Sequence, residues 1–422
     1  MLQAAVCHDP RMTATRRALG ALLTLVVLTG CSAGAGESPG PARNDPAVAD
    51  AVTRIVEAVM ARGHLKAVII RVTEDGQEVL TRAFGESMTG VPATPTMHFR
   101  NGAVAISYVA TLLLKLVEQG TVSLDDTLST WLPDTPHADQ ATLGQLAQMT
   151  SGYADYVIGN EEFQKAFYDN PFRRWEPEDL LRFATAKPLH YPPGTNWNYA
   201  HTNYVLLGLA LEKATGRAMA DLLDDEVLGP LGLTNTANSF TAEIPAPALH
   251  AFTSERRETL GIASGTAFYE ESTFWNPSWT ITHGAVQTTN IYDMEAGAAA
   301  IGSGRLLTRE SYQTMTAPDL RGKTTTLPGC PTCAPQTEGY TYGLGIVISG
   351  GWLLQNPLFA GQAGVAAYLP SKKIAIAIAL TYLPDAFDDT GGYPNEAETL
   401  FRTVGAELAP DDAPPTPPGT PK

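Results

Sequence analysis

The chain is poor in charge: Asp, Glu, Lys and Arg make up only 17% of its 422 residues, against 44% hydrophobic. That balance excludes an intrinsically disordered chain, which needs high charge and little apolar content. Basic residues are the scarcer sign, 28 against 44 acidic, for a formal net charge of −16. No Lys/Arg-rich run follows the first few residues, so a nucleic-acid partner is excluded, because phosphate contacts require clustered cations. The apolar run Ala18 to Leu28 is too short to cross a bilayer, which takes about 20 residues. His-Glu-x-x-His and paired metal-ligating carboxylates are missing, so no metal or cofactor is expected.

What the N-terminus does contain reads as an export signal. Arg11, Arg16 and Arg17 precede the short apolar run, and Leu28-Thr29-Gly30-Cys31 follows it. This has the shape of a bacterial lipobox, in which Cys31 carries lipid and becomes the mature N-terminus. Residues 1–30 are then a signal peptide, with Met1 or Met12 as the start. The expected location is extracytoplasmic, on the cell membrane through a lipid anchor. Cys7 falls in the discarded segment, leaving Cys330 and Cys333. A Cys-x-x-Cys pair can be half a zinc site, a redox pair or a small disulfide ring. No second such cluster supplies further zinc ligands, and an oxidising compartment favours the disulfide.

Residues 31–46, rich in Gly, Ala, Pro and Ser, read as a flexible tether, and the Pro-rich residues 409–422 as a disordered tail. The folded body is then 47–408. Helical periodicity runs over Asp50 to Arg62, and strand character over Leu65 to Val72 and Glu78 to Ala83 about the turn Glu74-Asp75-Gly76-Gln77. Val104 to Gln119 and Tyr204 to Ala214 are apolar on most faces and mark buried helices. Gly343 to Ser349, Trp352 to Leu354 and Ile374 to Thr381 read as strands, and Glu396 to Leu408 as a closing helix. Strands at both ends with helices between predict one sheet assembled from distant segments, with a helical region inserted at about 100–290.

Phe99-Arg100-Asn101-Gly102-Ala103-Val104-Ala105-Ile106 resembles the active-site helix of the serine β-lactamase and penicillin-binding protein superfamily, where the pattern is roughly Phe-x-x-Gly-Ser-x-x-Lys. Further pieces resemble the family in its order. They include Leu124-Asp125-Asp126, Thr142-Leu143 to Thr150-Ser151-Gly152, Tyr191-Pro192-Pro193-Gly194-Thr195 with Tyr199 and Asn203-Tyr204, Leu228 to Thr234, and Gly284 to Asp293. The resemblance implies an α/β (α+β) fold, a mostly antiparallel sheet flanked by helices plus an all-α region. It also implies acyl transfer through a serine ester, as in D-Ala-D-Ala carboxypeptidases, class C β-lactamases and related esterases.

This sequence departs from that chemistry. The nucleophile position is Ala103 and the lysine position is Ile106; a methyl group cannot attack a carbonyl and a hydrocarbon cannot move a proton. The family's Tyr-x-Asn is Tyr199-Ala200-His201, which keeps the tyrosine and replaces the asparagine. The third motif, a Lys-Thr-Gly or His-x-Gly in relatives, is expected near Phe359-Ala360-Gly361, which offers no cation. The expectation is a catalytically inactive homologue that binds a ligand through Tyr199, His201, Ser107 and Gly361, with a peptidoglycan peptide or another envelope protein as partner. The alternative is an active serine hydrolase with a displaced nucleophile: Ser107 follows Ala103 by one helical turn, with Tyr199 and His201 as its base.

Overall fold

The computed structural model describes residues 46–416; the expected signal peptide, Cys31 and tether lie outside them, apart from Pro46. Nine strands form one antiparallel sheet. In chain order they are β1 (Leu65–Glu74), β2 (Gln77–Met88), β3 (Val91–Pro92), β4 (Thr341–Tyr342), β5 (Val347–Ser349), β6 (Trp352–Gln355), β7 (Leu358–Phe359), β8 (Gln362–Leu369) and β9 (Ile374–Tyr382). Their spatial order is β3-β2-β1-β9-β8-β6-β5-β4, with β7 also on β8. The join of the two ends is the β1–β9 ladder, from Leu65 opposite Tyr382 to Glu74 opposite Ile374.

Residues of β8 and β9 are buried throughout, which requires cover on both faces. On one face Ala366 lies opposite Ala377, and Tyr368 opposite the small Ala375. This lets the Gly- and Ala-rich helix Ile291–Gly302 approach so closely that a Cβ on Gly302 would lie 2.6 Å from the Tyr368 side chain. The helix is tied there by Glu295, which accepts from Arg71 Nε (3.0 Å) and Thr73 Oγ1 (2.7 Å) of β1. Helices Pro46–Arg62 and Glu396–Leu408 pack together and against the sheet.

Between the sheet halves, helix Val104–Glu118 buries nearly every residue from Val104 to Leu114, as its all-round apolar sequence predicts. A second buried helix, His201–Thr215, packs near it. The inserted region is not purely helical, however. It carries a three-stranded sheet of Phe99–Arg100, Gln287–Thr289 and Ala237–Asn238, and a hairpin of Phe252–Thr253 with Glu270–Glu271. The tail expected to be disordered also needs correction, over residues 409–416. Pro410–Asp412 form a 3₁₀ turn, the buried Trp352 indole donates to the Asp412 carbonyl (2.8 Å), and Pro414 and Pro415 fill the space left by Gly405 and Gly350. A buried indole N–H requires an acceptor, and the tail supplies it.

One off-site group gives the fold a pH dependence. Burial raises the Glu255 carboxyl to about 7, against a hydrogen bond from Thr253 that lowers it and with the nearby Glu270 adding to the rise. The folded state therefore holds a proton that the unfolded chain has lost by about pH 4.5. This contribution to stability is full below that pH and is lost as pH rises through about 7. Glu255→Gln is expected to raise stability at pH 8 by on the order of 1–2 kcal/mol, with no gain at pH 4, in paired thermal melts.

Candidate functional site

A cleft of about 290 Å³ opens at the head of the Val104–Glu118 helix. Its floor is Gly102 and Ala103. One wall is Ile158, Tyr199, His201, Trp279 and Thr280; the other is Tyr340 with the stretch Gln355 to Phe359. Gly102 is required by its surroundings: its φ is +51°, and a Cβ would lie 2.5 Å from the Phe359 ring and 2.8 Å from Pro357. The chain thus presses the 357–359 loop directly onto the position before Ala103. No Lys, Arg, Asp or Glu lies in this lining.

Ala103 presents a methyl group where the resemblance calls for a hydroxyl. Ile106 is 3% exposed and belongs to the main core. Tyr199 lines the cleft; burial pushes its phenol well above the ordinary value, and Tyr340 and Asp155 push the same way. With no cation in the lining to reverse this, Tyr199 is a neutral phenol at physiological pH, able to donate a proton but not to take one from a nucleophile.

His201 is the most constrained polar group in the cleft. Its Nδ1 lies 3.1 Å from each carboxylate oxygen of Asp155, and its backbone N–H donates to the same carboxylate at 2.9 Å. The Ile158 backbone N–H donates to the other oxygen at 2.9 Å. Asp155 is 4% exposed, and its acceptor-only carboxylate assigns the proton to Nδ1, leaving Nε2 with a free lone pair in the neutral ring. The imidazole sits edge-on to Tyr199 (centroids 5.2 Å apart, planes at 87°) and tilted against Trp279 (5.9 Å) and Tyr156 (5.7 Å).

Two expected site residues are not in the cleft. Ser107 is 5% exposed and donates to the Gly345 carbonyl at 2.8 Å. A buried hydroxyl must find a partner, and this bond ties it beside Val104 and Ile301, in a separate small cavity away from Ala103 and His201. Gly361 is likewise structural. Its N–H donates to the Tyr393 hydroxyl, and at φ +74° a Cβ would lie 1.9 Å from the Phe252 carbonyl oxygen. The strand-edge position facing Ala103 is instead Asn356-Pro357-Leu358, three residues earlier, and it too lacks a cation.

Cys330 and Cys333 form a disulfide. Its loop braces the cleft from outside. Cys333 bridges to Asn198, next to Tyr199, and Pro331 lies against Gly159, next to Ile158. The ring is only four residues long, so loop entropy gives it a small share of stability, about 2 kcal/mol. Cys330→Ser with Cys333→Ser is expected to lower the unfolding free energy by that amount, measured by urea titration, while the fold persists.

Asp155, Trp279, Thr280, Tyr340 and Asn356 were not evident from the sequence. Asp155 lies 46 residues before its histidine in an aromatic-rich segment, and no spacing rule links the two.

The Beta-lactamase family model matches residues 52–401. The chain belongs to the Beta-lactamase family. A putative penicillin-binding protein PbpX of Bacillus subtilis is 24% identical over 251 residues, 58% of each chain. Protein flp of Staphylococcus aureus is 23% identical over 193 residues, 44% of this chain. The chain spans only 37% of the length of Protein flp. Among solved structures, a D-stereospecific amidohydrolase from Streptomyces sp. aligns with TM-score 0.68 at 23% identity, covering 86% of this chain and 99% of its own. The D-amino acid amidase of Ochrobactrum anthropi SV3, complexed with D-phenylalanine, gives 0.70 at 21% with the same coverage. At these identities the likeness speaks for the fold. The Beta-lactamase fold of this chain is thus the expected antiparallel sheet with flanking helices.

Proposed function

We propose that this protein is a non-acylating member of the Beta-lactamase family, a surface lipoprotein that uses the old cleft to hold an uncharged ligand. The observation that carries this reading is the absence of a nucleophile and of its base at and beneath the cleft. Ala103 offers no hydroxyl, Ile106 no amine, and burial keeps the Tyr199 phenol protonated. Loss of the nucleophile alone typically costs on the order of 10⁶ in rate for a triad-type enzyme. The lining has no cation to pair with a peptide carboxylate, which favours a neutral, partly aromatic ligand or envelope component over an anionic peptidoglycan stem. Lipidation at Cys31 places the domain at the outer face of the cell membrane in this reading.

The test is covalent labelling of the purified chain with fluorescent penicillin and with a fluorophosphonate, read by gel fluorescence and intact mass. No adduct is expected with either probe, and an adduct on any cleft residue defeats the proposal. A change in intrinsic tryptophan fluorescence that Trp279→Phe removes then serves to screen uncharged aromatic compounds for binding.

A further inference from the structure

We infer that His201 and Asp155 form an acid–base pair that directs water, in place of the missing serine, onto a neutral ester bound in the cleft. The inference rests on the non-acylating reading above and adds an activity to it. Three features converge. The imidazole is held through Nδ1 by a buried carboxylate that also accepts two backbone N–H groups, so its orientation is fixed without the help of a ligand. Its other nitrogen has no hydrogen bond within the described residues, and the residue lines the cavity. Ala103, on the floor of the same cavity, carries no hydroxyl, so the space a serine oxygen would take is open to a water molecule. The titratable groups facing His201 are Asp155, Tyr199 and Tyr156, and Tyr340 shares the cavity. The tyrosines are held protonated by burial, so His201 is the one base in the lining.

The step balances with water alone. The water oxygen bonds to the ester carbonyl carbon as its proton passes to Nε2. The tetrahedral oxyanion then collapses, the C–O bond to the leaving alkoxide breaks, and the alkoxide takes that proton from Nε2. The products are a carboxylic acid and an alcohol, and nothing is oxidised or reduced. Trp279, Phe359 and Leu358 supply apolar walls, and the lining holds no charge, so the substrate class is an uncharged ester with an aromatic or alkyl group. Asp155 does not touch the reacting atoms; it is a positioning residue.

The experiment uses the purified chain with 2-naphthyl acetate and 4-nitrophenyl acetate. Saturable hydrolysis above buffer is expected, without an initial burst and without an acyl adduct by intact mass. His201→Gln should lower kcat at least about 100-fold. Asp155→Asn should lower kcat and shift the pH profile of kcat, which a smaller folded fraction would not move. Unchanged melting of His201→Gln shows that the fold is kept, and Asp155→Asn decides the matter if it is not. Hydrolysis no faster than buffer, or equal in wild type and His201→Gln, overturns this inference while leaving the non-acylating reading in place. An acyl adduct overturns that reading itself.

Discussion

Ile106→Lys is expected to destabilise the protein by on the order of 3–5 kcal/mol, the cost of an unpaired buried charge. The side chain is 3% exposed within the main core, where an ammonium loses its hydration. No acidic residue lines the adjacent cleft to compensate. The control is Ile106→Met, which keeps the volume and should cost less than about 1.5 kcal/mol. Thermal melts at neutral and alkaline pH check the mechanism. The Lys variant should recover part of its loss as pH rises, because the neutral amine is the form the core tolerates. Equal stability of the Lys and Met variants at neutral pH would show that position 106 retains a lysine-ready environment.

Gly361→Ala is the second large effect, on the order of 3–5 kcal/mol, combining a positive-φ penalty with overpacking. The new methyl would lie 1.9 Å from the Phe252 carbonyl oxygen and 3.2 Å from Thr253 Cβ. A backbone atom cannot swing aside as a side-chain tip can, so the hairpin of Phe252–Thr253 with Glu270–Glu271 must shift as a unit. A fall in thermal midpoint of several degrees, with the residual folded protein still free of acyl label, matches a structural glycine. A variant as stable as wild type contradicts it.

Much of the fold was legible because the residues obey short-range rules. Gly76 after Asp75 marked the β1–β2 turn, and the all-round apolar stretch from Val104 marked the central helix. The strand β8 was not legible. Gln362-Ala363-Gly364-Val365-Ala366-Ala367 has little β-branched character, and its extended state is set by ladders to β6, β7 and β9 on either side. In the site, the losses at Ala103 and Ile106 were visible because a motif fixes where to look. Ser107 misled, since helical spacing gives a shared face but not the acceptor that claims a hydroxyl. Gly361 misled because its positive φ and the pressure of Phe252 exist only in three dimensions. Asp155 was silent for a related reason: its meaning lies in the partner it meets, 46 residues downstream.

The β1–β9 ladder has a consequence for biogenesis. Leu65 cannot meet Tyr382 until nearly the whole polypeptide has been made, so the middle of the sheet is completed last. An emerging chain must carry the first hairpin with one long edge unpaired, and such edges invite association with other chains. Refolding from urea should accordingly be slow for the chain's size, as expected where the decisive contacts join remote segments. The open edge of that first hairpin is therefore the part of the chain most in need of cover while synthesis continues.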